Sequence, residues 1–163
     1  MRTTLVTLCA LLLLGACERR ADRETQAVAA SAGDIAGATL DWQPVPPALP
    51  PGARVAVLEG DGAQAGPFRF RLEMPDGYEA RPHYHPVSET IEVIEGTFLH
   101  GRGTEWDEAK LKPLVAGEVV DLAAGEPHFV RTRGRTVIEV RTSGPFGMTY
   151  VNPADDPQAT ATR

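Results

Sequence analysis

Gly77-Tyr-Glu-Ala-Arg-Pro-His83-Tyr-His85-Pro-Val-Ser-Glu89-Thr-Ile-Glu-Val-Ile-Glu-Gly96 is the stretch that decides how this chain folds. His83 and His85 are two residues apart, so on an extended strand their rings point to one face. Pro86, Val87 and Ser88 make a short turn, after which Glu89 opens a new apolar run. Two neutral imidazole nitrogens and one carboxylate oxygen, converging from adjacent strands, form a facial set with open positions that suits a divalent transition metal. A further histidine, His128, lies downstream in a segment of similar build. A His-x-His pair alone is more often a surface pair or part of a hydrogen-bonded network. Glu89 and His128 in register with it shift the balance to a metal.

Outward from this stretch the pattern is one of short β-type runs broken by turns. Residues 68–74 (Phe-Arg-Phe-Arg-Leu-Glu-Met) alternate apolar and polar, as a half-buried strand does, and stop at Pro75-Asp-Gly77. Residues 55–58, 90–94, 97–100, 118–122, 129–133, 136–141 and 147–151 continue the series. Strands this short with turns this frequent predict an all-β antiparallel sandwich or barrel with little helix, the one helical candidate being residues 107–112 before Pro113. The 16 glycines and 14 prolines agree. Phe68, Phe70, Leu72, Met74, Ile91, Val93, Phe129 and Val130 are the expected core.

These residues resemble the cupin family. Its first motif has glycine, five residues, His-x-His, three or four residues, Glu, six residues and glycine, which Gly77, His83, His85, Glu89 and Gly96 meet at every interval. Its second motif is met by Gly117, Gly125 and His128, with Ala123 where the family has proline and Thr132 where it has asparagine. Both departures fall at turn or support positions and bear on local rigidity rather than on ligation. The resemblance covers residues 52–151. It implies a small double-stranded β-helix (jelly-roll) barrel in which His83, His85, Glu89 and His128 ligate one divalent ion, Mn, Fe, Zn, Ni or Cu. It also implies small-molecule chemistry of the dioxygenase, isomerase or lyase type. The ending Gly-Pro-Phe-Gly-Met-Thr-Tyr-Val-Asn-Pro-Ala-Asp-Asp-Pro looks like that of small, single-domain, exported bacterial cupins. His100 matches no motif position and is expected at the surface or just beside the ligands. No catalytic acid or base stands out: Glu92, Glu95, Tyr84 and His100 are candidates by proximity only, and Glu92 is expected in solvent or paired with an arginine of the next strand.

The start of the chain reads as an address. Residues 1–16 have a short positive opening and an apolar segment over 5–14, too short to span a bilayer as a mature helix. Leu14-Gly15-Ala16-Cys17 resembles the bacterial lipobox, which implies cleavage before Cys17 and its lipidation; an ordinary secretory signal cut near the same place is the alternative. Glu18 in the next position favours the outer membrane. The expectation is an exported, periplasm-facing lipoprotein of the bacterial cell envelope that meets the membrane only through its lipid anchor. Cys9 and Cys17 are the only cysteines, so the mature chain has no pair to bridge.

Residues 17–43, polar and Ala-rich, are expected to be a flexible tether, residues 44–153 the barrel domain and residues 154–163 a disordered tail. The proline-rich run over 44–51 should lie stiff and extended along the outside of the domain, with Trp42 packed on it. A formal net charge of −6, with no basic block beyond Arg19-Arg20, argues against nucleic acid as a partner. Open strand edges would permit a homodimer. Three functions follow: a metal-dependent enzyme on a small molecule, a non-catalytic module that binds or senses one, or a structural domain braced by its metal.

Overall fold

The computed structural model describes residues 39–160. The signal peptide expected over 1–16, the lipid site at Cys17 and the tether as far as residue 38 lie outside the described residues. Nine strands follow: β1 (Gln43–Pro44), β2 (Arg54–Glu59), β3 (Gly66–Met74), β4 (Glu79–Tyr84), β5 (Glu89–Arg102), β6 (Lys112–Val115), β7 (Val119–Leu122), β8 (His128–Gly144) and β9 (Thr149–Tyr150). Every pairing is antiparallel.

β5 and β8 form the spine, paired from Thr90↔Arg141 to Arg102↔His128. Along its other edge β5 takes β7 in its first part and β6 in its second. β8 takes β3 beside its later residues, followed by β2 and β1, and β4 beside its first residues, followed by β9. Two sheets, β1-β2-β3-β8-β5-β7 and β9-β4-β8-β5-β6, thus share two long strands and curl around one core. This is the predicted all-β double-stranded β-helix.

The two runs expected at 90–94 and 97–100 are one strand, as are those at 129–133 and 136–141. The turn signal at Gly96 produces a bulge instead of a break, with register shifts at Val93/Glu95 and Glu95/Thr97. Gly96 has φ +84°, and a Cβ there would meet Arg135 O at 2.3 Å and Thr136 Cα at 2.9 Å. Both are backbone atoms that a rotamer change cannot move. Gly96→Ala should therefore destabilise the barrel by about 3 kcal/mol or more. An unchanged urea midpoint would show that the bend does not depend on glycine.

The core lies between the sheets and holds Phe70, Met74, Ile91, Val93, Phe98, Val130, Ile138 and Val140, with Phe68 and Leu72 packed partly buried against it. Phe129 is fully buried but elsewhere. His128 and Val130 face inward, so alternation turns Phe129 to the outer side of β8, against Trp106 at 5.3 Å between ring centroids. Arg81 and Arg131 lie over the indole at 4.4 and 5.2 Å.

Three other expectations change. Residues 107–112 yield only a 3-10 turn, Glu108–Lys110, capped by Asp107, because Lys112 already starts β6. The ending expected to be disordered from residue 154 carries two short helical turns through residue 160. Asn152 accepts from Ala154 N (3.1 Å) and Asp156 from Gln158 N (2.9 Å), each opening one of the turns. The compact unit begins at Asp41 rather than residue 44, since Gln43 and Pro44 pair with Val55 and Arg54. The Arg54 guanidinium lies 5.6 Å from the Trp42 ring.

Candidate metal centre

The site is assembled where three strand ends meet. β4 carries His83, and His85 follows its last residue; Glu89 opens β5 and His128 opens β8. His83 and His128 are direct cross-strand partners. All four side chains are buried. His83, His85 and His128 each offer a ring nitrogen, and these atoms lie within 4.8 Å of one another, so three buried histidines can hold a metal ion. Glu89 Oε1 stands 3.5 Å from Nε2 of His85 and 3.5 Å from Nε2 of His128.

Each ring is oriented by a backbone carbonyl. Nδ1 of His83 lies 2.7 Å from Arg81 O, that of His85 2.6 Å from Gly147 O, and that of His128 3.1 Å from Glu126 O. A carbonyl only accepts, so Nδ1 carries the hydrogen and donates it, leaving the Nε2 lone pair free for a ligand. This is the support that metal-binding imidazoles use to fix tautomer and direction.

Burial holds all three rings neutral. It lowers His83 well below the usual imidazole range, lowers His85, and takes His128 down to about 3. Burial also raises the Glu89 carboxyl to about 7. The 3.5 Å approaches are therefore not ordinary ion pairs, because without a metal the rings do not take the proton. Glu89 Oε1 is buried with no hydrogen-bond partner, facing lone pairs instead of donors. A cation resolves that conflict. Donors about 2.1 Å from one ion stand roughly 3.0–3.4 Å apart, close to the separations around Glu89. The residues fit a divalent metal.

Both departures from the second motif are supported by their neighbours. Thr132 donates to Pro75 O (2.6 Å) and accepts from Tyr78 N (2.9 Å), pinning the turn that leads into β4. At Ala123, the backbone N–H donates to Glu126 Oε2 (3.0 Å) and the carbonyl accepts from Glu126 N (3.1 Å), which closes the turn before His128.

Of the two places expected for His100, the structure gives the one beside the ligands. His100 is buried beside the site, its ring centroid 5.8 Å from that of His128, and its Nε2 has no hydrogen-bond partner. Glu92 pairs with Arg141 at 2.6 Å, as expected of an outward residue, and Glu95 with Arg135 at 2.5 Å.

A cavity of about 220 Å³ opens onto His83, His85, Glu89 and His128. Several of its walls had no signal in the sequence. Phe146 stacks on the His85 ring at 4.6 Å and 20°. The proline-rich run does more than follow the outside of the domain, since Pro46, Ala48 and Leu49 form part of the cavity wall. Two tyrosines hold it there: Tyr78 OH donates to Pro50 O (2.8 Å) and Tyr150 OH to Ala48 O (3.0 Å). Only the apolar Ala48-Leu49 between prolines hinted at such a role.

The sequence matches no protein-family model, and no curated protein sequence is significantly similar to it. Solved structures do resemble it. An RmlC-like cupin from Shewanella frigidimarina has a TM-score of 0.52 at 17% identity, over 66% of this chain and 86% of its own. The polyketide cyclase RemF from Streptomyces resistomycificus reaches 0.61 at 20% identity, over 76% and 88%. A proposed acetylacetone dioxygenase from Methylibium petroleiphilum reaches 0.56 at 16% identity, over 96% and 90%. At such identities the likeness speaks for architecture, and it agrees with the strand pairing: the chain has the cupin-type fold.

Proposed function

We propose that this protein is a metal-dependent enzyme acting on a small molecule, in which His83, His85, Glu89 and His128 hold one divalent ion. We further propose that it works at the bacterial cell envelope, exported and anchored through a lipid on Cys17. The observation that carries the catalytic reading is the convergence of three carbonyl-oriented imidazoles and one unpartnered buried carboxylate on an apolar-walled cavity. The envelope reading rests on the lipobox-like Leu14-Gly15-Ala16-Cys17.

A divalent ion at these ligands supplies Lewis acidity or, as iron, an O₂-reactive centre. The protein's residues do the rest. Three neutral rings and one carboxylate leave one or two coordination positions, and the apolar walls keep water from competing for them. Glu92 and Glu95 are tied to arginines, and Tyr84 alternates away from His83 and His85. None of the three is offered as a general acid or base. RemF and the proposed dioxygenase carry small-molecule chemistry in their names on the same fold, which accords with an enzyme. A binding or sensing module is the second reading, favoured by that same lack of an additional acid or base.

The test is elemental analysis of residues 18–163, exported to the periplasm without an affinity histidine tag, beside a His83→Ala/His128→Ala double variant. Near-stoichiometric metal in the parent and none in the variant is expected, and the element directs the assays: O₂ uptake for iron, isomerase or lyase screens for zinc or manganese. Absence of metal from both, after reloading with each ion, would reject the metalloenzyme.

A further inference from the structure

We propose that the molecule bound here is compact and largely apolar, with its oxygen donors confined to one end and no charge elsewhere. The inference rests on the metal-centre reading above and narrows it to a substrate class.

The carrying observation is what the cavity wall lacks. Among the described residues, and apart from the four of the metal centre and the weakly accepting thioethers of Met74 and Met148, the only lining side chain with a hydrogen-bonding group is Tyr78, and its one hydroxyl hydrogen is already given to Pro50 O at 2.8 Å. No Lys, Arg, Asp, Asn, Gln, Ser or Thr side chain among the described residues lines the space. A phosphate, a second carboxylate or a row of hydroxyls would leave water and find no partner, which a buried site penalises heavily. Sugars, sugar phosphates and dicarboxylates are therefore poor ligands for this pocket.

The walls also indicate a shape. Phe68, Phe70 and Phe146 are packed together with ring centroids 4.9 to 6.1 Å apart, and Phe146 continues onto the face of His85. A planar body lying against this cluster has an aromatic surface to rest on while its donor end reaches the ligands. At about 220 Å³ the space exceeds the roughly 150 Å³ of a dry apolar cavity that takes up benzene. A single substituted ring, or a chain of similar bulk, fills it. Leu49 makes the wall apolar on the strap side as well.

The test compares two chelators with the same hydroxypyranone donor pair and one substituent on the same ring carbon: allomaltol, whose substituent is a methyl group, and kojic acid, whose substituent is a hydroxymethyl group. Each is titrated into the cobalt-loaded protein and followed by the visible spectrum, with each affinity divided by that chelator's affinity for the free ion. A preference of at least tenfold for allomaltol is expected, falling at least threefold in Leu49→Asn at unchanged cobalt occupancy. Equal binding, or a preference for kojic acid, overturns the proposal and leaves the metal centre standing. A preference that ignores Leu49→Asn would also overturn the assignment to this cavity. A parent protein that takes up no cobalt overturns the metal centre itself, and this proposal with it.

Discussion

Glu89→Gln should weaken metal binding by more than about a hundredfold while making the metal-free protein more stable. Loss of a group that merely supports a ligand typically costs ten- to a hundredfold in affinity, and removing a charged ligand should exceed that. The metal-free protein responds in the opposite direction. There the carboxyl is buried, without a hydrogen-bond partner and raised to about 7, against an ordinary value of 4.5. Between pH 4.5 and 7 the folded chain holds a proton that the unfolded chain has released, so stability falls as pH rises through that window. Above pH 7 the full cost of about 3 kcal/mol is present. Glutamine is nearly isosteric, carries no charge and can donate toward the Nε2 atoms. At pH 8 the urea midpoint of the metal-free variant should rise while its metal affinity collapses. Unchanged affinity would mean that the three histidines alone hold the ion, and a lowered midpoint would mean that burial of the carboxylate is not the cost described.

That opposition separates what was legible in the sequence from what was not. His83, His85, Glu89 and His128 could be placed together because strand periodicity and turn chemistry are local. A period of two aligns His83 with His85, and a three-residue turn delivers Glu89 to the next strand. The phase of β5 beyond Gly96 was not legible. Glu89, Ile91 and Val93 face inward at odd positions, but the bulge at Gly96 adds a residue, and Phe98 and His100 face inward at even ones. This is why His100 is buried beside His128 instead of at the surface. Nor could local patterns find the contacts between distant segments: Gly147 O on His85, Phe146 stacked on the same ring, and the Tyr78 and Tyr150 hydroxyls on the proline-rich strap. Tertiary packing decides those, and the apolar character of the cavity depends on them.

Acid should unfold the metal-free protein well before the metal-loaded one. His83, His85, His100 and His128 are all lowered, first by burial, with His100 at about 4 and His128 at about 3. The charged groups that act on them are few. Neighbouring rings lower His83 and His128 further and Arg102 lowers His100, while the Glu126 carboxylate opposes at His100 and His128. As pH falls below 6.5 the unfolded chain takes up protons that the folded rings refuse, and stability is lost by about 1.4 kcal/mol per pH unit for each such ring. Glu89 opposes with one proton between pH 7 and 4.5, so the histidines win by number. Over two pH units the net loss is a large share of the roughly 5–15 kcal/mol that holds a domain folded. Bound metal changes the balance by stabilising the folded state through the same Nε2 atoms, so the loaded protein should keep its urea midpoint to lower pH. His100 is not among the ligands, so its share of the acid sensitivity should persist in the loaded protein and disappear in His100→Gln. Urea midpoints at pH 7, 6 and 5, with and without metal, decide the matter. A metal-free midpoint that stays level across that range would show that the rings already accept protons in the folded state, and that the site is wetter than its burial implies.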